Sequence, residues 1–387
     1  MEKDRKRHLI VWKLLRPFIK PWIKHKFNLE AEDFKGEGPY LVLSNHNTDW
    51  DPLIVASAFP QQMYFVASEH IFRWGILSKI ISWLLAPISR LKGRSAASTV
   101  MTVMRKLRDG ANVCIFAEGE KSWDGVTCPI ADATGKLARS SGASLVTYRL
   151  EGGYFTHPRW AKTHRRGKMR GSVVGVYSPE ELRRMKPDEI NELIRRDLHE
   201  DAYELQNTQQ IAYRGKSLAE GLEKALCLCP ECGKLETLKS EGSRFFCTAC
   251  GFETEYTPEG YFTSGTFKTV QEWDKWQHEQ FEKCALETEN GEIFSDSDIE
   301  LLAFTESHAT QSLGKGSLTI YPDRLVCSGM EWDISDISGM ALHGNQKINL
   351  SVGEEDYEIV PLKTCCTRKY LAAYNALRRE KDGLLSS

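Results

Sequence analysis

No stretch of this 387-residue chain approaches the roughly eighteen consecutive, mostly apolar residues that a membrane-spanning helix requires. The best run, Ile80 to Ser89, lies between Lys79 and Arg90 and is far too short. The start does not read as a secretory signal either. Lys13 and Arg16 interrupt the apolar residues after Met1–His8, and no small-residue cleavage site follows. Internal repeats and low-complexity tracts are absent. The 11 cysteines are an odd number, and four of them are grouped at metal-site spacing, so a disulfide framework is not expected. These absences predict a protein of the cytoplasm that, where it meets a membrane, lies peripherally on its cytoplasmic face.

With 41% apolar and 27% charged residues the chain should form real cores, and its length predicts two or three domains. The net charge of −2 hides an asymmetry. Residues 1–200 carry 33 Lys and Arg against 22 Asp and Glu; residues 201–387 carry 18 against 31. A basic front half suits an anionic partner, while the acidic back half argues against extended nucleic-acid binding. Residues 1–28 read as a basic amphipathic segment, with Leu15, Phe18, Ile19 and Trp22 at helical spacing and Arg16, Lys20, Lys24 and Lys26 between them. Such a segment is expected to rest on a membrane surface containing anionic lipid. Pro17 and Pro21 argue against one straight helix there.

Residues 29–205 have the pattern of an α/β domain, a mixed sheet with flanking helices. Strands are expected at Pro39–Ser44, Met63–Ala67, Ala111–Ala117, Ala143–Leu150 and Gly171–Tyr177. Helices are expected at Ile71–Leu85, Ala96–Arg108 and Ala133–Ser140, with one or two more over Pro179–Leu222. Ile71 to Pro87 is rich in apolar residues, including Phe72, Trp74 and Trp83, and reads as either a buried helix or a lipid-facing patch. A helical linker (206–225), a small zinc ribbon (226–256) and an acidic linker with a helix (257–312) should follow. The linker is expected to be polar around Ser295–Gly316. Last comes a small β-rich domain (313–380) with a C-terminal helix from Thr367 to Arg379.

His46 and Asp51 follow the first predicted strand directly, where α/β proteins place chemistry. A histidine acts as a directed base when an acceptor orients its other ring nitrogen, and Asp51 can supply that acceptor. On spacing alone, a capping Asp beside a structural His is the commoner arrangement. The segment Asn45-His46-x4-Asp51 resembles the first motif of the glycerophospholipid acyltransferase family, whose type member acylates 1-acylglycerol 3-phosphate. Pro87-Ile88-Ser89-Arg90 resembles the Arg-bearing second motif. Phe116-Ala117-Glu118-Gly119-Glu120-Lys121-Ser122 resembles the third, Phe-Pro-Glu-Gly-Thr-Arg-Ser, and Ser144–Tyr148 the fourth, apolar one. The resemblance spans about residues 25–205.

It implies acyl transfer from a thioester, acyl-CoA or acyl carrier protein, to the hydroxyl of a lysophospholipid. His46 would be the general base and Asp51 its orienting partner. Asn45, Arg90, Glu118, Gly119 and Lys121 would form the substrate-binding set. Three positions depart from the family: Ala117 for Pro, Glu120 for Thr and Lys121 for Arg. Lysine holds a phosphate as a point charge without the arginine fork, and Glu120 adds a negative charge, so the acceptor headgroup stays open. The competing reading is an altered acyltransferase fold that binds or regulates through its later modules.

Those modules begin with Cys229-Pro230-Glu231-Cys232-Gly233 and Cys247-Thr248-Ala249-Cys250-Gly251. Two such knuckles can set four thiolates tetrahedrally around a structural Zn2+. A redox dithiol is the alternative. The order of the last strands and the final helix resembles pleckstrin-homology-like folds.

Overall fold

The computed structural model describes residues 2–68, 83, 86–90, 97–305 and 310–383. The chain divides into two compact units: one runs to Gly215, apart from Trp160–Lys162, and the other comprises those three residues and the chain from Lys216 onward.

The first unit is built on a seven-stranded sheet, β1 (Leu29–Ala31), β2 (Tyr40–Ser44), β3 (Met63–Ser68), β4 (Ile88–Arg90), β5 (Asn112–Phe116), β6 (Ser144–Glu151) and β7 (Met169–Tyr177), in the order β1-β7-β6-β2-β5-β3-β4. Strands β6, β2, β5, β3 and β4 are parallel, and β7 runs antiparallel to β6. All five residues of β2 are buried, as befits a central parallel strand covered on both faces. Their alternation feeds two cores. Leu41 and Leu43 join Tyr64, Val113, Leu145 and Ile194 on one face. Tyr40 and Val42 join Ile54, Phe59, Cys114 and Tyr148 on the other.

The register matters for function. Ser44 pairs with both Phe116 and Tyr148, so β2, β5 and β6 deliver their following loops to one edge of the sheet. The loops of the first and third expected motifs therefore meet there, beside the strand that carries the fourth.

The N-terminal segment is one helix, α1 (Glu2–Phe27), despite Pro17 and Pro21 within it. Trp12, Ile23 and Phe27 are buried along one side, and that packing outweighs the two lost backbone donors. Ile10, Leu14, Phe18 and Trp22 form an exposed row at i, i+4 spacing, with Phe18 76% exposed. Of the expected outward stripe, Ile19 turns toward the core instead. Arg16 and Lys20 are spent on Asp33. The helix and apolar patch expected at Ile71–Pro87 lie almost wholly outside the described residues; Trp83, within them, is exposed. Instead of one or two helices after Pro179 there are three short ones, Pro179–Arg184, Pro187–Leu198 and Ala202–Gln209. The breaks carry a Ser178 capping box, Pro187 at a first turn and an Asp201 cap. Beyond Gln209 the expected helical linker holds only a short 3-10 turn, Leu222–Lys224.

In the second unit, a three-stranded sheet of β8 (Leu238–Glu241), β9 (Arg244–Cys247) and β10 (Glu253–Glu255) is followed by a helix at Val270–Glu287. Seven antiparallel strands come next: β11 (Phe294–Phe304), β12 (Thr310–Ile320), β13 (Arg324–Cys327), β14 (Met330–Asp333), β15 (Ile337–His343), β16 (Lys347–Val352) and β17 (Glu355–Pro361). Their order is β14-β13-β12-β11-β17-β16-β15. The polar linker expected at Ser295–Gly316 is thus a hairpin. Phe294, Ile299, Leu301, Leu318 and Ile320 are buried, and the mostly polar outward residues gave the segment its linker-like composition. The final helix, Arg368–Lys381, buries Tyr370, Ala373, Tyr374 and Leu377.

Candidate active site and four-cysteine cluster

The turn between β2 and α2 (Asp51–Ala58) wraps around one carboxylate. Asp51 is fully buried, and its Oδ2 accepts from His46 Nδ1 at 2.9 Å, Asn47 N at 2.6 Å and Thr48 N at 2.8 Å. Its Oδ1 accepts from Thr48 Oγ1 at 2.6 Å. A carboxylate only accepts, so His46 carries its proton on Nδ1 and keeps the Nε2 lone pair free. The ring stacks on Phe116 at 4.4 Å and its side chain is 20% exposed, enough for one edge to face a ligand.

Two further buried carboxylates hold this turn. Glu118 accepts from His46 N at 2.6 Å and from Cys128 N, tying the β2 and β5 loops together. Glu200 accepts from Asn45 Nδ2 at 2.9 Å, Asn47 Nδ2 at 2.7 Å and Gly152 N at 3.0 Å. Burial pushes each of these carboxyls up, while the donors that converge on it pull the other way, toward the charged form. Ala117 N also donates to Ser44 O, and Ser122 N to His46 O, so the two loops are zipped along their backbones.

The other expected residues divide. Asn45 is 1% exposed, and its amide is spent on Leu150 N and O and on Glu200, so it is a strut between β2 and β6 rather than a substrate contact. Arg90, at the end of β4, lies against Gly119: a Cβ there would come within 3.2 Å of Arg90 Nη1. Gly119 also has φ +72°, a left-handed turn that glycine adopts without strain. Among the described residues Arg90 Nε is buried and finds no hydrogen-bond partner. Lys121 Nζ donates to Asp49 at 2.8 Å, so a phosphate would have to compete with that carboxylate.

Arg159, Glu200 and the stacked pair His157 and His164 were not expected from the sequence. Arg159, its side chain 2% exposed, donates to Glu120 Oε2 at 2.8 Å and lies over Trp123 at 4.4 Å. The extra charge of Glu120 is thereby neutralised within the protein. His157 and His164 stack with centroids 3.9 Å apart, and burial, with His164 beside it, pushes His157 down to about 4. Glu200 and Arg159 pair across 153 and 39 residues, which leaves no local signal.

The sulfurs of Cys229, Cys232, Cys247 and Cys250 lie within 4.8 Å of one another. Cys229 to Cys250 and Cys232 to Cys247 are each 3.8 Å. That equals the edge of a tetrahedron with metal–sulfur bonds of about 2.3 Å, so the cluster fits a zinc-sized ion. The knuckles are alike: Gly233 N donates to Cys229 O, Gly251 N to Cys247 O, and both glycines have positive φ.

A histidine held by a buried aspartate at the carboxyl edge of a parallel sheet, with an arginine and a glycine turn beside it, defines a site suited to proton abstraction near an anionic ligand. Residues 26–151 match the family model described as Acyltransferase. Over 154 residues the chain is 28% identical to a chloroplast 1-acyl-sn-glycerol-3-phosphate acyltransferase of Brassica napus, covering 38% of this chain and 43% of that one. Over 121 residues it is 23% identical to the 1-acyl-sn-glycerol-3-phosphate acyltransferase of Borreliella burgdorferi, covering 31% and 48%. The chain thus spans less than half the length of each of these curated relatives. The crystal structure of the 1-acyl-sn-glycerophosphate (LPA) acyltransferase from Thermotoga maritima aligns with 50% of this chain and 81% of its own at 18% identity and a TM-score of 0.40, too loose a likeness to carry an argument. The likeness to these acyltransferases is thus confined to the matched segment.

Proposed function

We propose that this protein moves a fatty acyl group from a thioester, acyl-CoA or acyl carrier protein, to the free hydroxyl of 1-acylglycerol 3-phosphate, giving phosphatidate. The observation that carries the reading is the His46–Asp51 pair, with Nδ1 engaged and Nε2 without a partner among the described residues. Nε2 takes the hydroxyl proton as the oxygen attacks the thioester carbonyl. Asp51 keeps the ring oriented and stabilises its charged form; as the C–S bond breaks, the leaving thiolate takes the proton from His46. No acyl-enzyme is needed. Arg90, beside the Gly119 turn, and Lys121 are the groups proposed to hold the acceptor's phosphate. Glu118 and Asn45 would serve by fixing the loop.

The regulatory alternative drew its support from the altered 117–121 loop. With Glu120 neutralised by Arg159 and Glu118 still bridging both loops, that support is weak. The exposed row on α1, with Lys13 and Lys24 also exposed, supports peripheral attachment to anionic lipid on a cytoplasmic membrane face. Among the described residues no helix is long and apolar enough to cross a membrane. The four-cysteine cluster is proposed as a structural zinc ribbon, since four thiolates leave no open coordination position. The second unit's strand order and closing helix support a pleckstrin-homology-like recruiting module.

The test is thioester consumption by purified protein over a panel of lysolipids that share an acyl chain and differ in headgroup, with the product identified by mass. Phosphatidate formed from 1-acylglycerol 3-phosphate in preference to the other products is expected. A faster reaction with a lysolipid lacking the terminal phosphate monoester would refute the acceptor, and no transfer to any acceptor would refute the enzyme.

A further inference from the structure

Glu200 stands outside the segment matched by the acyltransferase model, between the helix Pro187–Leu198 and the Asp201 cap of the next one. A charged residue between two helices reads as a solvent-facing one, yet Glu200 is 3% exposed. Its main chain is fixed: its N–H donates to Thr127 Oγ1 at 2.8 Å, and its carbonyl accepts from Thr127 N at 3.0 Å. Among the described residues it has no cationic partner. A buried carboxylate without a counter-charge is costly, and it persists where several donors converge on it. Here three do, and two belong to the residues on either side of His46: Asn45 Nδ2 and Asn47 Nδ2 both end on Glu200 Oε2, while Gly152 N ends on Oε1.

We propose that Glu200 is a positioning residue for His46. It clamps Asn45 and Asn47 at once, and so fixes the backbone turn from which His46 reaches Asp51 with Nδ1 and the acceptor with Nε2. The proposal rests on the reading of His46 as general base. Glutamine cannot replace Glu200. One of its two terminal atoms is a donor, and whichever way the amide is turned that donor faces either Gly152 N or the two asparagine amides. The turn would relax, and a displacement of about 1 Å of a reacting group can cost on the order of a hundredfold in rate.

The experiment measures kcat, KM and melting temperature in the full chain with palmitoyl-CoA and 1-oleoylglycerol 3-phosphate, for the wild type, His46→Ala, Glu200→Gln, Asn47→Ala and the Glu200→Gln/Asn47→Ala double variant. Glu200→Gln should lose about 10- to 100-fold in kcat with KM within about twofold, the signature of lost positioning rather than lost binding. Asn47→Ala should lose kcat in the same direction, and the double variant should fall short of the product of the two losses because they act through one contact. Wild-type kcat in folded Glu200→Gln, a change confined to KM, or a loss explained by the unfolded fraction alone would overturn the proposal. Should Glu200→Gln fail to fold, Asn47→Ala decides: lost kcat at an intact melting temperature supports the clamp, and wild-type kcat overturns it. Full turnover by His46→Ala would instead sink the general-base reading, so the two failures are distinguishable.

Discussion

Replacing Asp51 by asparagine separates the catalytic from the structural work of this residue. Four donors converge on the buried carboxylate, three of them on Oδ2. An asparagine can keep its oxygen toward His46 Nδ1, Asn47 N and Thr48 N, and turn its amide nitrogen toward Thr48. The Thr48 hydroxyl can rotate to accept instead of donate. The fold should therefore lose no more than about 1 kcal/mol, the scale of one net hydrogen bond. What disappears is the negative charge beside the imidazolium that forms as His46 takes a proton. A pair of unit charges about 4 Å apart at an effective dielectric of 20 interacts by roughly 4 kcal/mol, and a neutral hydrogen bond recovers about 1 of that. The barrier should rise by about 3 kcal/mol, roughly a hundredfold in kcat. Asp51→Ala is different, since it strands Asn47 N and Thr48 N in the interior at about 1–3 kcal/mol each. The assay is thioester consumption at saturating substrates beside a thermal melt of the same samples. Asp51→Asn with wild-type kcat, or melting as early as Asp51→Ala, would refute this reasoning.

Further predictions follow from other parts of the molecule. The purified chain should hold one zinc, and Cys229→Ser with Cys250→Ser should abolish it; unchanged zinc content in that double variant would refute the assignment. Arg368 donates to both oxygens of Asp274 at 2.6 and 2.7 Å with both side chains 6% exposed, so Arg368→Ala should cost the second unit about 3–5 kcal/mol in denaturant unfolding. Burial opposes the charged form of Asp274, yet Arg368 and His278 hold its carboxyl well below the usual range. In the same way Glu358, opposed by burial, is held down to about 2 by His343 and Lys347. A lowered folded pKa gives stability that is present above the unfolded carboxylate value and lost as pH falls below it. Hydrogen exchange at 270–285 and 355–361 should therefore accelerate from about pH 4.5 downward, toward about pH 2 at the Glu358 strand; unchanged protection would contradict the signs. Phe18→Glu should weaken sedimentation with phosphatidylserine-containing vesicles by about 10- to 100-fold, the worth of one buried aromatic side chain, without shifting the melting temperature; undiminished binding would exclude α1 as the docking face.

Much of the first unit was legible because its signals are local. Tyr40–Ser44 and Asn112–Phe116 are short apolar runs bounded by turn residues, and the chemistry-bearing loops follow them directly in the chain. The four cysteines were legible for the same reason, since CxxC spacing is local, while the gap between the two knuckles is closed by the fold. What was hidden depends on distance. Glu200 lies 153 residues from Asn47, and Arg159 lies 39 from Glu120, so neither pairing leaves a pattern in a window of sequence. The β11–β12 hairpin was hidden for another reason: its many exposed polar residues diluted its hydrophobicity to that of a linker, although Phe294, Ile299, Leu301, Leu318 and Ile320 are buried. In α1, proline chemistry pointed the wrong way because tertiary burial of Trp12, Ile23 and Phe27 decided the outcome.

The central claim, that His46 is the general base of an acyl transfer, is tested most directly by the turnover of His46→Ala with 1-acylglycerol 3-phosphate and an acyl thioester. Its melting temperature is compared with the wild type, because the ring stacks on Phe116 and binds one oxygen of Asp51. The account predicts a fall in kcat on the order of 10²–10⁴ with KM little changed. A folded His46→Ala protein turning over within about tenfold of the wild type, less than general-base catalysis is worth, would contradict it.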